Sequence, residues 1–136
     1  WIGTSTGLSR FDGREFRHYG PADGLPHPSV LALLEDRDGV LWIGSRGGLV
    51  RIEPNGTVMS PVPLPSTAPG GAVPPAGGTS APPPAPVIRR LLQTRDGRVW
   101  VAVRQELFVF ADERHRERPE RIAIELPPAP PSSRLL

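Results

Sequence analysis

A tryptophan recurs three times along the 136-residue chain, each time at the head of the same short motif. The three copies read Trp1-Ile2-Gly3, Trp42-Ile43-Gly44 and Trp100-Val101-Ala102. A leucine follows seven residues after each tryptophan, at Leu8, Leu49 and Leu107. Self-similarity at fixed offsets is the sequence signature of a repeat protein. We therefore expect a series of similar packed units rather than a single irregular core.

The length of the unit follows from the spacing of the copies. The first two tryptophans are 41 positions apart, whereas the second and third are 58 apart. Residues 60–86 explain the excess, because they contain ten prolines, four glycines and no charged residue. Such a composition buries too little apolar surface to offset its ordering entropy, which predicts a disordered insertion. The unit itself is about 41 residues long, within the range of about 40–45 for a four-stranded propeller blade.

The local sequence of each unit predicts β structure. Two Asp-Gly pairs, Asp38-Gly39 and Asp96-Gly97, each separate two apolar runs, which is the pattern of a tight hairpin turn. In the second unit we expect paired strands over 31–35 and 40–44, a third strand over 49–52 and an outer strand around 57–59. A helix over 29–38, begun by Pro28, is the alternative for the first of these strands.

The predicted fold class is all-β, an incomplete propeller arc of two to three four-stranded blades. Residues 1–59 hold the second half of one blade and one full blade, 60–86 the disordered insertion, 87–126 a degenerate third blade, and 127–136 a Pro-rich disordered tail. Propellers close with about 4–8 blades. Since the chain also starts without methionine, we expect it to be a piece of a longer protein, with missing blades of that protein as its partners.

Composition excludes several functional classes. The chain has no cysteine, and its 16 basic residues, all arginine, are mixed with 14 acidic ones, which argues against a nucleic-acid surface. The longest apolar runs have five residues, for example 30–34, where a membrane span needs about 20. We expect no membrane segment and no signal peptide within this sequence.

No catalytic or metal-binding pattern stands out. The acidic residues Glu35, Asp36 and Asp38 lack the alternating ligands of a calcium loop. The three histidines, His18, His27 and His115, are far apart in sequence and in unlike contexts. We therefore predict a non-enzymatic chain with no cofactor, no catalytic residue and no bound metal.

Recurring residues are more simply read as packing and turn residues than as a ligand site. They comprise Trp1, Gly3, Leu8, Asp38, Gly39, Trp42, Gly44, Leu49, Asp96, Gly97, Trp100 and Leu107. The turns that follow the tryptophan strands lie on one rim of a propeller. The candidate ligand contacts on that rim are Thr4, Ser5, Ser45 and Arg46.

The run from Gly24 to Gly44, followed by Gly48-Leu49 and Ile52, resembles the two-component regulator propeller repeat. The resemblance covers about 1–59 and 87–110. It implies a periplasmic sensor region of a hybrid histidine kinase, which binds a small molecule or an oligosaccharide. The alternatives are a diguanylate cyclase sensor region, a fragment of a propeller lyase or hydrolase, and a structural interaction scaffold.

The third copy departs from the repeat. Thr94 stands where Asp36 does, Ala102 replaces Gly44, and Glu106 replaces the glycine of Gly48. Glycine at the start of the third strand is expected to provide backbone freedom. The turn before Glu106 should therefore differ from its counterpart in the second copy.

Overall fold

The computed structural model describes residues 1–54, 56, 59–65, 85–104, 106–111 and 119–122. This part of the chain contains eleven β-strands in three antiparallel sheets, and one turn of 3-10 helix at Pro21–Asp23. Blade 1 consists of β1 (Ile2–Gly3), β2 (Leu8–Phe11) and β3 (Phe16–Tyr19). Blade 2 consists of β4 (Val30–Glu35), β5 (Leu41–Ser45), β6 (Gly48–Ile52) and β7 (Ser60–Val62). Blade 3 consists of β8 (Ile88–Gln93), β9 (Val99–Val103), β10 (Glu106–Phe110) and β11 (Glu120–Ile122). The all-β arc of two to three blades is confirmed.

The strand expected over 31–35 is confirmed, and one other local expectation was wrong. Residues 30–35 form strand β4, not the alternative helix, because they pair with β5 across the Asp-Gly turn. The outer strand of blade 2 lies at Ser60–Val62 instead of around 57–59, so the blade extends into the first residues assigned to the insertion. Pro61 is tolerated there because β7 is an edge strand, where a missing N–H breaks no ladder.

The third copy forms a four-stranded blade in spite of its departures from the repeat. Strand β11 pairs with β10 and begins at Glu120, within the range predicted for the third blade. The remainder of the predicted insertion, 66–84, and the predicted tail, 127–136, lie outside the described residues. The division of the chain at these boundaries stays a prediction.

Blades 2 and 3 repeat each other in register as well as in sequence. Leu34 faces Trp42 across β4 and β5, and Leu92 faces Trp100 across β8 and β9. Each inner strand also has a bulge near its start, between Val30 and Ala32 and between Ile88 and Arg90. A bulge leaves one residue without a partner across the ladder. The residues in these two positions are Leu31 and Arg89.

Blade 2 is buried on both faces because successive residues of a strand point to opposite sides of its sheet. One face packs on blade 1 and forms a first interblade cluster of Leu8, Tyr19, Leu25, Val30, Leu41, Ile43, Val50, Ile52 and Met59. The other face packs on blade 3 and forms a second interblade cluster of Val40, Trp42, Leu49, Val62, Ile88, Val99, Val101, Val103, Phe108 and Phe110. At its centre the rings of Trp42 and Phe110 lie 5.0 Å apart.

Glycine in the Trp-Ile-Gly motif lets neighbouring blades approach. A Cβ atom on Gly44 would lie 2.5 Å from Cγ2 of Ile88, the first residue of the next inner strand. A Cβ atom on Gly3 would lie 2.5 Å from Cγ1 of Val30, which holds the same position in blade 2. The motif therefore pairs a glycine in one blade with a β-branched residue in the next.

A different glycine, in the turn after the tryptophan strand, is needed for its backbone conformation rather than for close packing. Gly48 has φ of +129° at the start of β6, a region that side chains disfavour. In blade 3, where Glu106 replaces that glycine, the positive φ moves to Arg104, at 43°. Arg104 is the one non-glycine residue with positive φ in the described part of the chain.

Candidate ligand rim

The strand directions place the turns of the blades on two opposite rims. The upper rim carries the turns after the tryptophan strands, around 4–7, 46–47 and 104, together with the connection from Gly20 to Ser29. The lower rim carries the other hairpin turns, around 12–15, 36–40 and 94–98. All four predicted ligand contacts lie on the upper rim.

Two of those four predicted contacts are occupied in closing turns. The Ser45 hydroxyl is fully buried and donates to the Gly48 carbonyl at 3.0 Å. The Thr4 hydroxyl donates to the Gly7 carbonyl, also at 3.0 Å. These two residues are 41 positions apart, and in successive repeats each donates a hydrogen bond to the carbonyl three residues later. Ser5 and Arg46 are exposed on the same rim.

Three arginines lie on the upper rims of the adjacent blades 2 and 3, and we call this part of the rim the seam. Arg46 and Arg104 hold the same position in their repeats, 58 residues apart, and both are exposed. Arg89 is the exposed bulge residue next to Ile88, which pairs with Val103. Sequence analysis found only Arg46. The offset of 58 could have identified Arg104, whereas the bulge at Arg89 depends on strand pairing.

The lower rim carries carboxylates in its turns. Asp12 accepts backbone N–H groups from Glu15 and Arg14, and these hydrogen bonds lower its pKa. The Thr94 hydroxyl donates to Asp96 and lowers the pKa of that carboxyl. A lowered pKa keeps a carboxyl anionic into more acidic solution. The lower turns therefore carry anionic carboxylates mixed with arginines such as Arg37 and Arg95.

Asp36 has a structural role that the sequence analysis missed. Its buried carboxylate accepts the Trp42 Nε1–H at 2.8 Å and the backbone N–H of Val40 at 2.9 Å. In blade 3, Trp100 Nε1–H donates to the Thr94 hydroxyl at 3.2 Å. The residue six positions before Trp42 and before Trp100 thus connects the hairpin turn to the indole. The regular offset of six residues was the available signal.

The three tryptophans are not brought together. Trp42 is fully buried, while Trp1 is 38% exposed and lies against Tyr19 at a ring distance of 5.5 Å. Trp100 is half-buried on the face of blade 3 that points away from blade 2. Each indole belongs to its own blade, so they do not form a joint stacking site.

The histidines and acidic groups do not converge either. His18 Nδ1 lies 2.7 Å from the Ser9 hydroxyl on blade 1, and His27 Nδ1 accepts the Ser29 N–H. His115 lies outside the described residues. Within the described ranges, no three histidine, aspartate or glutamate side chains are grouped to hold a metal ion. A cavity of about 250 Å³ opens at the lower rim between blades 2 and 3, lined by Asp36, Arg37, Gln93 and Asp96 among others.

A helix with the length and apolar character needed to cross a membrane is not found in the part of the chain that the structure describes.

The chain is similar to a known family and to solved structures. Residues 24–47 match the family model of the two component regulator propeller, which confirms the resemblance stated from the sequence. One similar crystal structure is described as the extracellular domain of one component system BT4673 from B. thetaiotaomicron, with TM-score 0.69 and 20% identity. A second is described as the extracellular domain of hybrid two component system BT4673 from the same organism, with TM-score 0.62 and 21% identity.

Each match covers most of this chain but only a small part of the solved chain. The first covers 89% of this chain and 15% of the solved chain, and the second covers 81% and 14%. The chain thus spans about one seventh of the structures it matches. No curated protein matches the sequence. At such identities the solved structures establish the fold.

Proposed function

We propose that this chain, which carries a two component regulator propeller repeat, is part of a ligand-sensing propeller ectodomain of a bacterial two-component signalling protein. The observation that supports the proposal is the matched repeat at residues 24–47, folded with its neighbours into a four-stranded blade between two others. The sensor region would lie in the periplasm. Its output module would be a histidine kinase or a diguanylate cyclase.

Two open faces support the presence of further blades. Blade 1 exposes Ile2, Phe11 and Phe16, each about half exposed, on the side away from blade 2. Blade 3 exposes Leu92 and part of Trp100 on its outer face, whereas the equivalent positions of blade 2 hold the partly buried Leu34 and the fully buried Trp42. Repeat units bury such faces only against neighbours. Further blades of the same protein are the proposed occupants.

The 136-residue chain alone is therefore expected to unfold without a sharp transition and to bind an apolar dye before it is heated. Half-exposed aromatic and leucine side chains at both ends of the arc are the reason. Differential scanning calorimetry and dye fluorescence measure this. A monomer with one cooperative unfolding transition would contradict the need for further blades.

Ligand sensing is proposed for the upper rim, where Ser5 and the seam arginines are accessible. A small molecule or an oligosaccharide is the proposed ligand class. Groups on turns held by a rigid sheet scaffold are well placed for binding.

Two measurements on the complete gene product test this function together. Alkaline phosphatase fused to the end of the ectodomain should be active, because that enzyme requires export. Cellohexaose, an oligogalacturonate hexamer or a heparin hexasaccharide should raise the melting temperature of the purified ectodomain, because a ligand that binds only the native state stabilises it. An inactive fusion and no thermal shift with any of these probes would contradict a sensing ectodomain.

A further inference from the structure

Equivalent upper-rim turns of blades 2 and 3 each carry an arginine. Arg46 opens the turn between β5 and β6, and its backbone N–H donates to the Ser29 carbonyl at 3.2 Å, which fixes the turn against the inner strand. Arg104 opens the matching turn between β9 and β10. The blades are in direct contact just below, because Ile88 packs on Gly44. Two equivalent turns therefore present a guanidinium group on adjacent blades.

Arg89 adds a third cation on the inner side of the seam. It occupies the bulge between Ile88 and Arg90, and its side chain is exposed. Ile88 pairs with Val103, the residue immediately before Arg104. A bulge redirects a side chain from the regular alternation of its strand. Arg89 and Arg104 thus lie one residue to either side of the Ile88–Val103 pair, near the upper end of blade 3.

The charge of these arginines is not balanced within the described residues. Neither Arg46, Arg89 nor Arg104 makes an ion pair with a carboxylate in those ranges. Glu106, the carboxylate next to the blade 3 turn, pairs with Arg121 at 2.6 Å. Asp23, on the connection between blades 1 and 2, accepts the Gly20 N–H. Both upper-rim carboxylates in the described residues are therefore already engaged.

Arg104 is also held in an unfavourable backbone conformation. Its φ of 43° lies in the left-handed region, where glycine or asparagine is favoured and other side chains are strained. Strained residues of this kind persist where the surrounding structure fixes them, and they concentrate at ligand-binding sites. Arg104 therefore combines a strained backbone with a positively charged side chain at the seam.

We propose that Arg46, Arg89 and Arg104 bind a ligand that carries more than one anionic group, as carboxylate or sulfate, across the seam of blades 2 and 3. Packed sheets lie about 10 Å apart, so equivalent turns on neighbouring blades are spaced for two anionic groups rather than one. The planar guanidinium donates two parallel hydrogen bonds to either group. This inference rests on the proposed sensing function, whose ligand class it names.

Paired arginine variants in the complete ectodomain test the site by isothermal titration calorimetry. The probes are an oligogalacturonate hexamer for carboxylate, a heparin hexasaccharide for sulfate, and cellohexaose as the neutral comparison. At least one anionic probe is expected to bind, with an affinity that falls as salt is raised. The double variant Arg46→Ala/Arg104→Ala should weaken that binding by about 10- to 100-fold, as expected for loss of charge-assisted hydrogen bonds. The single variant Arg89→Ala should weaken it in the same direction.

The matched control is Arg37→Ala/Arg95→Ala. These arginines are also 58 positions apart and also hold equivalent repeat positions, but they lie in turns of the lower rim. The control should bind the anionic probe as the unmodified protein does. Equal loss of binding in both double variants would overturn the site, because it would show attraction by total charge alone.

Arg104→Gly separates a ligand role from a structural one. Glycine relieves the positive φ, so the variant should unfold at a higher temperature than the unmodified protein and yet bind the anionic probe more weakly. Unchanged affinity in this variant, or no binding of either anionic probe, would overturn the proposal. Binding of cellohexaose that is unaffected by the arginine variants would also overturn it, while leaving the proposed sensing function intact.

Discussion

Replacing Trp42 with alanine is expected to destabilise the contact between blades 2 and 3 by about 3–5 kcal/mol, the range for truncating a large buried aromatic side chain. Trp42 is fully buried, and its ring lies against that of Phe110. The substitution also removes the indole N–H that donates to Asp36, a buried carboxylate. Losing a hydrogen bond to a buried charged group adds to the cost of the cavity.

Hydrogen exchange measured by mass spectrometry would localise this effect. Amides of β4, β5, β9 and β10 should all lose protection in Trp42→Ala, since the side chain joins the two blades. Trp100→Ala is the matched control, because Trp100 has the same repeat position but is half-buried on an open face of blade 3. Its effect should be smaller and confined to blade 3. Equal effects of the two substitutions would show that the second interblade cluster is not centred on Trp42.

A side chain at Gly44 is expected to have the second large effect. Gly44→Val should destabilise the same interface by about 1–3 kcal/mol or more, the range for overpacking a core. Even the first added carbon would lie 2.5 Å from Ile88 Cγ2 and 2.9 Å from Ile88 Cβ. The Ile88 contact is with a β-branched side chain close to its backbone, which leaves little room for adjustment.

Gly20→Ala is the control for this substitution. A Cβ atom at Gly20 meets nothing within 4 Å, and φ there is −134°, which any residue adopts. The melting temperature should therefore change little in Gly20→Ala and fall clearly in Gly44→Val. The double variant Gly44→Val/Ile88→Ala should recover part of the summed loss of its two single variants, because alanine at 88 removes the Cγ2 methyl group that lies 2.5 Å from the added carbon. If no stability is recovered, the destabilisation at Gly44 has a cause other than the close approach of blades 2 and 3.

Predictions from the sequence were most accurate where the structure is determined locally. Asp38-Gly39 forms the expected tight turn, with φ of +77° at Gly39 and a hydrogen bond from the Asp36 N–H to the Val40 carbonyl. Such turns depend on a few consecutive residues, so their signal is present in the sequence. The outer strand of blade 2 was placed too early because edge strands have weak patterns and Pro61 argued against a strand there.

The structure adds a second role to two of the candidate ligand contacts. Thr4 and Ser45 stay predicted contacts, and their hydroxyl groups also close turns. Arg104 and Arg89 were not identified, because their place on the rim beside blade 2 depends on strand pairing and on packing between blades. The longer spacing between the second and third repeats separates Arg46 from Arg89 and Arg104 in sequence, while the repeat positions of blades 2 and 3 keep the same register.

The sequence by itself determined that this protein is a β repeat with a period of about 41 residues, since the spacing of tryptophans and Asp-Gly turns is a local, countable property. Only the tertiary structure decided what each repeated position does. It showed that the motif glycine receives Ile88 or Val30 of the next blade, and that Asp36 holds the indole of Trp42. It also brought arginines from separate repeats to one seam. These roles depend on contacts between residues distant in sequence, which exist only once the sheets have packed face to face.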